Sequence, residues 1–444
     1  MKIIEKIKSS PVVRNFFLFL AILGPGIVTG SVDNDAGGIT TYSVAGAIYG
    51  YGLLWTLIPS FIALFVVQEM NLRMGVITGK GLADLIRENF GVKITAFIFL
   101  GLIIADIGNT ATEFAGVAGS MSIFGVSKYL SVPITAVAVW ILATKGNYKI
   151  AERIFLFFSF CLLFYIVSAI MAKPDWSAIG TAFVKPEVRF NNEYLSMVLG
   201  LIGTTIAPWM QFYMQSAVIE KGITVKEYKF ALADVVVGCT ATVVVAFFII
   251  ISCAATLHKN GVVIKEAADA AMALKPFAGV LASQVFAFGL FIASAFSATI
   301  LPLATAFYVC EAFGFEAGID KRMDEAPQFY WLFGSIIAIA VGIILMPNAP
   351  LIAITIWTQV INAMLLPVVL ISMIYMVNSR YIMGDYVNNR IQNLIGWTTT
   401  VVLIILTVLL IVSPLEPVFQ KIFHRTPATA QVSGGSAQVQ GTKT

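Results

Sequence analysis

Long apolar blocks alternate with short polar segments along most of this chain. About 20 consecutive apolar residues are enough to cross the hydrocarbon core of a bilayer as a helix. By that criterion the sequence predicts eleven membrane-spanning helices. They are residues 16–48, 52–71, 94–122, 129–145, 152–172, 194–217, 231–256, 279–312, 329–347, 351–378 and 395–414.

The first predicted span is interrupted at its centre by the polar segment 33–38, which reads Asp-Asn-Asp-Ala-Gly-Gly. A carboxylate in hydrocarbon is costly and marks function more often than not. Adjacent glycines favour backbone that is not helical, and such backbone persists at membrane depth only where protein buries it or water lines it. This pattern predicts a broken helix, which is the usual sequence indication of a transporter's substrate site.

The sixth predicted span carries a second interruption, at Gly203-Thr204-Thr205-Ile206-Ala207-Pro208-Trp209. Proline removes a backbone donor and clashes with the preceding helical turn. Two broken helices five spans apart are typical of an inverted repeat of five plus five helices, with the site where the breaks meet. We therefore predict a cytoplasmic N-terminus (1–15), two repeats (16–172 and 194–378), an eleventh helix outside them (395–414) and a disordered tail (426–444).

Composition agrees with a polytopic helical membrane protein, because 59% of the 444 residues are hydrophobic, 12% are charged and the mean hydropathy is +0.89. The N-terminus lacks the small-residue cleavage site of a signal peptide. Most of the 28 Lys and Arg residues fall in alternate connecting segments, starting with the N-terminal one. The positive-inside rule then predicts a cytoplasmic N-terminus and an extracytoplasmic C-terminus in the cell inner membrane.

The remaining chemistry excludes several classes of protein. The four cysteines lack CxxC spacing and lie in or beside apolar runs, so we expect free buried thiols. The two histidines lie between or after the spans, which excludes a histidine-based metal site inside the membrane. The chain shows no nucleophile–base pair, phosphate loop or nucleic-acid patch. We expect that the protein is not an enzyme and holds no resident cofactor. We expect it to lie in the lipid bilayer and to bind no nucleic acid.

The chain resembles the Nramp family of divalent-metal transporters, whose fold is of the LeuT type. The resemblance covers most of the chain. The family's first span, with its Asp-Pro-Gly-Asn motif at 35–38, is similar to Gly24-Pro25-Gly26 and the residues through Trp55. Further similarity lies in the loop Gly75–Asp84, in Gly203–Ser216 with the family's Met-Pro-His motif at 207–209, and in Thr358-Gln359-Val360 with Pro367.

The departures from the family pattern are as informative as the matches. Asp35 keeps the family aspartate, but the metal-binding Asn and Met are replaced by Gly38 and Ala207. The two histidines of the sixth span are replaced by Trp209 and Met214. In the third span the aspartate used in proton transfer is Thr110, whereas the glutamate remains as Glu113. This set of changes resembles the bacterial branch of Nramp-related magnesium transporters.

The resemblance implies an ion site built from Asp35, Gly38, the Thr204 carbonyl and Ala207. A thioether favours softer metals, whereas Mg²⁺ prefers oxygen ligands and keeps several waters, so the loss of Met and Asn suits a partly hydrated ion. Gln359 and Asn362, three apart on one helix face, would hold water of its shell. Around the ion we expect a vestibule or outer ring of Asp33, Asn34, Thr110, Glu113 and Trp209.

Each of these residues also has a structural interpretation. Asp35 or Asp33 could merely cap the second half of span one. The stripe Asp106, Asn109, Thr110, Glu113 on span three is either a wet path or a hydrogen-bonded helix contact. Gln359 and Asn362 could join helices, and Trp209 could be packing bulk.

The function we expect is uniport of Mg²⁺, and also of Mn²⁺, into a bacterium as a partly hydrated ion without proton coupling. Three rival hypotheses remain open: a proton-coupled Mn²⁺/Fe²⁺ symporter, an organic-solute symporter on the same fold, and an enzyme embedded in the membrane. Replacement of three titratable positions of the family's proton route counts against the first rival, and the negative charge of Asp35 against a carboxylate substrate.

Overall fold

The computed structural model describes residues 34–145, 163–264, 269–270, 275–318 and 321–412, and within these ranges it consists of helices and connecting turns. The helices are α1 (Ala36–Tyr49), α2 (Leu57–Thr78), α3 (Leu82–Ile123), α4 (Lys128–Lys145), α5 (Leu163–Met171), α6 (Trp176–Val184), α7 (Asn192–Thr205), α8 (Pro208–Glu220), α9 (Tyr228–Thr256), α10 (Lys275–Phe313), α11 (Pro327–Leu345), α12 (Leu351–Val377), α13 (Arg380–Met383) and α14 (Arg390–Val412).

Within the described ranges, eight helical segments are long and apolar enough to cross a membrane, and α4 is a shorter apolar helix at the position of the fourth predicted span. The first and fifth predicted spans are only partly described, as α1 and α5. Asp33, Cys161, the N-terminal segment 1–15 and the tail 426–444 lie outside the described residues. Cys239, Cys253 and Cys310 are buried and form no disulfide within the described residues.

Two elements differ from the sequence-based expectation. Helix α3 comprises two helical segments that meet at Gly91, where the backbone is not helical (φ 78°, ψ 166°). The second segment begins close to residue 94, as predicted for the third span, whereas the first segment, 82–90, was not predicted. Glycine tolerates that positive φ without the steric cost of a side chain. In addition, α6 forms in the segment between the fifth and sixth predicted spans, where no helix was predicted. Asp175 caps it by accepting hydrogen bonds from the backbone N–H groups of Ser177 and Ala178.

The two halves of the sixth predicted span are α7 and α8, separated by Ile206 and Ala207. Pro208 occupies the first position of α8, where its missing N–H costs no helical hydrogen bond. The N-cap Ala207 is extended, with ψ of 141°. The predicted break in the sixth span is therefore confirmed, and it is two residues long.

Helix α12 packs against the end of α7 at very short range. A Cβ atom built on Gly203 would overlap the backbone oxygen of Gln359 and lie 2.8 Å from the backbone nitrogen of Ala363. Only glycine allows two backbones to approach so closely. This contact brings the centre of α12 to the break between α7 and α8.

Candidate cation site at the two helix breaks

Asp35 forms the N-terminus of α1. It is 9% exposed and has extended backbone, and its Oδ1 accepts a hydrogen bond of 2.8 Å from the N–H of Gly38. This is an N-cap, which satisfies one of the four orphan N–H groups of the helix. A negative charge there is also favoured by the helix dipole. The capping interpretation of Asp35 is thus realised, and it leaves the second carboxylate oxygen for another partner.

Glu113 reaches the same helix terminus from α3. Its Oε2 accepts a hydrogen bond of 3.3 Å from the N–H of Ala36, and its carboxyl group lies adjacent to that of Asp35. Glu113 is 1% exposed. Two buried carboxyl groups therefore meet at the N-terminus of α1, and together they could balance the charge of a divalent cation.

The break between α7 and α8 packs against α1. The hydroxyl groups of Tyr42 on α1 and Thr205 at the end of α7 are 2.8 Å apart and hydrogen-bonded. In an unbroken helix the carbonyl of Thr204 would accept a hydrogen bond from residue 208. That residue is proline and has no N–H. The break thus leaves the carbonyl oxygen of Thr204, a buried residue, without its helical donor.

Gln359 on α12 lies against both the first turn of α1 and the end of α7. Its backbone oxygen faces Gly203, and its side-chain Nε2 lies 2.5 Å from the point where a Cβ on Gly37 would stand. The Oδ1 of Asp35 lies 3.1 Å from that same point. Gln359 is 4% exposed, so the site sits deep in the protein, enclosed by α1, α3, α7 and α12.

A chain of buried hydrogen bonds leads away from Gln359 into α3 and α10. Asn362 Nδ2 donates to Gln359 Oε1 (2.9 Å) and to Asn109 Oδ1 (2.8 Å). Asn109 Nδ2 donates to Asn362 Oδ1 (3.2 Å) and to Asp106 Oδ1 (3.0 Å). For Asp106 and Asn109, the hydrogen-bonded helix contact is therefore the arrangement present in this structure.

The other residues singled out in the sequence take these places. Asn34 is buried in the turn that precedes α1. The Thr110 hydroxyl donates to the backbone oxygen of Asp106 (2.7 Å), one turn back on its own helix. Trp209 is buried in the core, with its ring centroid 6.2 Å from that of Tyr213. Ala207 is 3% exposed, and its carbonyl accepts a hydrogen bond of 3.1 Å from Gln211 Nε2.

Sequence reasoning missed two members of the network. The hydroxyl of Tyr308 donates to Asp106 Oδ2 (2.5 Å), and the Thr305 hydroxyl lies 2.8 Å from the same oxygen. The available signal was their spacing, because hydroxyl residues three apart share one face of α10. Hydroxyl residues are common in membrane helices, however, and this signal alone indicates no partner.

The groups that could bind a cation at the N-terminus of α1 and at the α7–α8 break all do so through oxygen. Asp35 and Glu113 offer carboxylate oxygen, Thr204 offers backbone oxygen, and Gly38 and Ala207 contribute no side-chain donor at all. In the part of the chain that the structure describes, no group of three or more His, Cys, Asp and Glu residues forms a compact metal cage. Such a site suits a hard cation that keeps part of its water shell.

A broken membrane helix beside buried charge is typical of a polytopic membrane transporter, and α7 and α8 form such a helix. Solved structures agree with this fold. A manganese transporter from Eremococcus coleocola, in complex with an aromatic bis-isothiourea substituted compound, is similar with a TM-score of 0.71 at 22% identity over 92% of this chain and 89% of that one. MHP1, a nucleobase-cation-symport-1 family transporter in a closed conformation, is similar with a TM-score of 0.53 at 12% identity over 90% and 93%. The predicted LeuT-type fold is thereby confirmed.

The sequence profile described as "Natural resistance-associated macrophage protein-like", or Nramp, matches residues 26–413. The chain therefore belongs to the Nramp family, whose members are transporters rather than enzymes. Curated relatives include proteins named "Divalent metal cation transporter MntH" from Yersinia pestis (strain Pestoides F) and from Yersinia pseudotuberculosis serotype O:1b. Each is 25% identical over 405 residues, which is 89% of this chain and 95% of the relative.

Proposed function

We propose that this protein imports divalent cations, carrying Mg²⁺ and also Mn²⁺ down their electrochemical gradient without proton coupling, across a bacterial inner membrane. The observation that carries the proposal is the donor set at the two breaks. Its side chains and backbone offer oxygen, and the position at which the resemblance implies a thioether holds the methyl group of Ala207. Oxygen-rich sites without sulfur favour Mg²⁺ over softer metals.

The small residues support a hydrated ion rather than a bare one. Gly38 and Ala207 replace two larger side chains that the resemblance implies as metal ligands, so they leave room for water. Mg²⁺ gives up its water reluctantly and is commonly bound through one or two carboxylates. Asp35 and Glu113 supply that number of carboxyl groups at one helix terminus.

Import of a divalent cation needs no proton. An inside-negative potential of 100 mV favours entry of two charges by roughly 4.6 kcal/mol. Since 1.4 kcal/mol corresponds to about tenfold, this sustains a gradient of about a thousandfold. With the N-terminus in the cytoplasm, as the charge pattern favours, α1 lies on the extracytoplasmic side of the first break.

A second candidate, a proton-coupled Mn²⁺ symporter, is favoured by one observation. Glu113 lies beside Asp35, so a cation that binds Asp35 would change the electrostatic environment of Glu113, a second acid within the membrane. The relatives named as manganese or divalent-metal transporters point the same way for the metal. The symport of an anionic organic solute is disfavoured, because two carboxyl groups at the terminus of α1 would repel it.

The experiment for metal choice restores the ligands that the resemblance implies. Gly38→Asn combined with Ala207→Met should fill the site and add a soft donor. We expect weaker Mg²⁺ uptake in proteoliposomes and tighter Cd²⁺ and Mn²⁺ binding by isothermal titration calorimetry. Ala207→Leu is the matched control, because it adds similar bulk without sulfur and should weaken Mg²⁺ without strengthening Cd²⁺. An unchanged ion preference in the double variant would contradict the proposed basis of selectivity.

A further inference from the structure

We infer that Asp106 is a positioning residue that holds the amide of Gln359 with its nitrogen, not its oxygen, toward the N-terminus of α1. The inference rests on the proposed function, in which that terminus binds the cation. It assigns the polar network on α3 and α12 a role in the ion site, although Asp106 itself does not touch the site.

The direction of hydrogen-bond donation along the network is fixed, because the network begins at the carboxylate of Asp106, which only accepts hydrogen bonds. Asp106 is 1% exposed. Its Oδ2 receives the hydroxyl of Tyr308 and lies within hydrogen-bonding distance of Thr305, while its Oδ1 receives Asn109 Nδ2. An ionised carboxylate has no hydrogen to donate. The amide nitrogen of Asn109 must therefore face Asp106, since its carbonyl oxygen would repel the carboxylate.

The two asparagines transmit this direction. Each donates through Nδ2 to the Oδ1 of the other, at 2.8 and 3.2 Å. Each Nδ2 also has a second N–H. That of Asn109 donates to Asp106 Oδ1, and that of Asn362 donates to Gln359 Oε1 at 2.9 Å. If one of the two amides turned over, it would place oxygen against oxygen and nitrogen against nitrogen. The pair can turn only as a unit, and Asp106 opposes that turn.

The last member of the chain is Gln359, whose carbonyl accepts from Asn362. Its Nε2 consequently points to Gly37 at the terminus of α1, on the same side as Asp35 Oδ1. An N–H end repels a cation and attracts a carboxylate. In this arrangement Gln359 compensates the charge of Asp35 while the site holds no ion, and it does not displace water from an ion that enters.

Only one other arrangement satisfies all three amides, and in it every amide is turned over. It would present Gln359 Oε1 to the site as an additional cation ligand and place Asn109 Oδ1 against residue 106. Asparagine at position 106 could donate to that oxygen, whereas aspartate repels it. Asp106→Asn should therefore release Gln359 to bind the ion directly.

The test is a double-mutant cycle on the purified full-length protein, with Mn²⁺ and Mg²⁺ binding measured by isothermal titration calorimetry. Because one hydrogen-bond-scale interaction is gained, we expect Asp106→Asn to lower the Kd for Mn²⁺ by roughly three- to tenfold. Mg²⁺ should gain less, since it holds its water more firmly. In a Gln359→Leu background the gain should vanish. In proteoliposomes, the KM for Mn²⁺ should fall without a rise in maximal rate.

Tyr308→Phe is the matched control, because it removes a donor to Asp106 Oδ2 and leaves the link from Oδ1 to Asn109 intact. Its Kd should stay within about twofold of the native value. If Asp106→Asn fails to fold, Asn109→Ala cuts the same link and should give the same gain that depends on Gln359.

Three results would overturn the inference while leaving the proposed function standing. They are an unchanged Kd in a folded variant, an equal gain in the Gln359→Leu background, or an equal gain in Tyr308→Phe. If the native protein binds neither Mn²⁺ nor Mg²⁺, the proposed function itself fails, and the inference fails with it.

Discussion

Replacing Asp35 by asparagine separates the two roles that this side chain can play at the terminus of α1. Asparagine caps a helix about as well as aspartate, so the N–H of Gly38, now 2.8 Å from Asp35 Oδ1, keeps an acceptor. We expect the free energy of unfolding to change by less than about 0.5 kcal/mol in Asp35→Asn. In Asp35→Ala the cap is lost, which costs about 1 kcal/mol.

The effect on the ion should be far larger. At an effective dielectric constant of about 20, a unit charge and a divalent cation about 4 Å apart attract each other by about 8 kcal/mol. Desolvation of the carboxylate and the ion offsets most of this. If only about 2 kcal/mol remains, ion binding weakens about thirtyfold in both variants.

The assays are Mg²⁺ uptake in proteoliposomes and thermal unfolding of the same preparations. We expect both variants to lose uptake, although only Asp35→Ala is measurably less stable. If uptake instead follows stability, so that Asp35→Asn transports normally and Asp35→Ala does not, then Asp35 is a helix cap and not an ion ligand.

Two further predictions concern stability. Gly203→Ala should lower the free energy of unfolding by roughly 1–3 kcal/mol, because its Cβ would overlap the backbone of Gln359. The control Gly200→Ala, whose Cβ would lie 3.7 Å from its nearest neighbour, should be neutral or stabilising. Equal melting temperatures for the two variants would contradict the close approach of α7 and α12. Glu69→Gln should destabilise by roughly 3–5 kcal/mol, because the Glu69 side chain is 8% exposed and pairs at 3.0 Å with Arg73, whose buried charge would keep its backbone acceptors but lose its counter-charge. Chemical denaturation compares it with Glu88→Gln, which breaks an exposed pair and should leave the midpoint unchanged.

The features that the sequence predicted are those with a local cause. Pro208 stands inside an apolar run, so the break in span six follows from backbone chemistry alone. The end of α7 at Thr205 and the start of α8 at Pro208 agree with that reasoning. Gly37 and Gly38 were expected to be non-helical, but both lie in the first turn of α1, and the first half of span one lies outside the described residues. The pairing of the two predicted breaks was inferred from their separation by five spans.

The features that the sequence did not predict depend on packing between distant elements. Thr305 lies 199 residues from its partner Asp106. Its hydroxyl also lies 2.9 Å from the backbone oxygen of Leu301 on its own helix, which is the ordinary fate of a threonine in an apolar helix. The contact with Asp106 exists because α10 packs on α3, and no local pattern encodes that contact.

The start of α3 illustrates the opposite difficulty. The backbone of Gly91 is not helical, so the apolar part of α3 begins just after it, close to the predicted residue 94. The charged residues before Gly91 form a separate helical segment, 82–90, which the search for apolar spans did not find.

The central claim is transport of Mg²⁺ driven by voltage and concentration without protons. The direct measurement uses proteoliposomes that contain a pH dye and an Mg²⁺ indicator, with potassium and valinomycin setting the voltage. We predict that Mg²⁺ uptake rises with inside-negative voltage, while the lumen acidifies no more than in protein-free controls. Acidification that requires both the protein and Mg²⁺ at zero imposed voltage would contradict the claim and identify a proton-coupled symporter, with Glu113 as the first residue to replace.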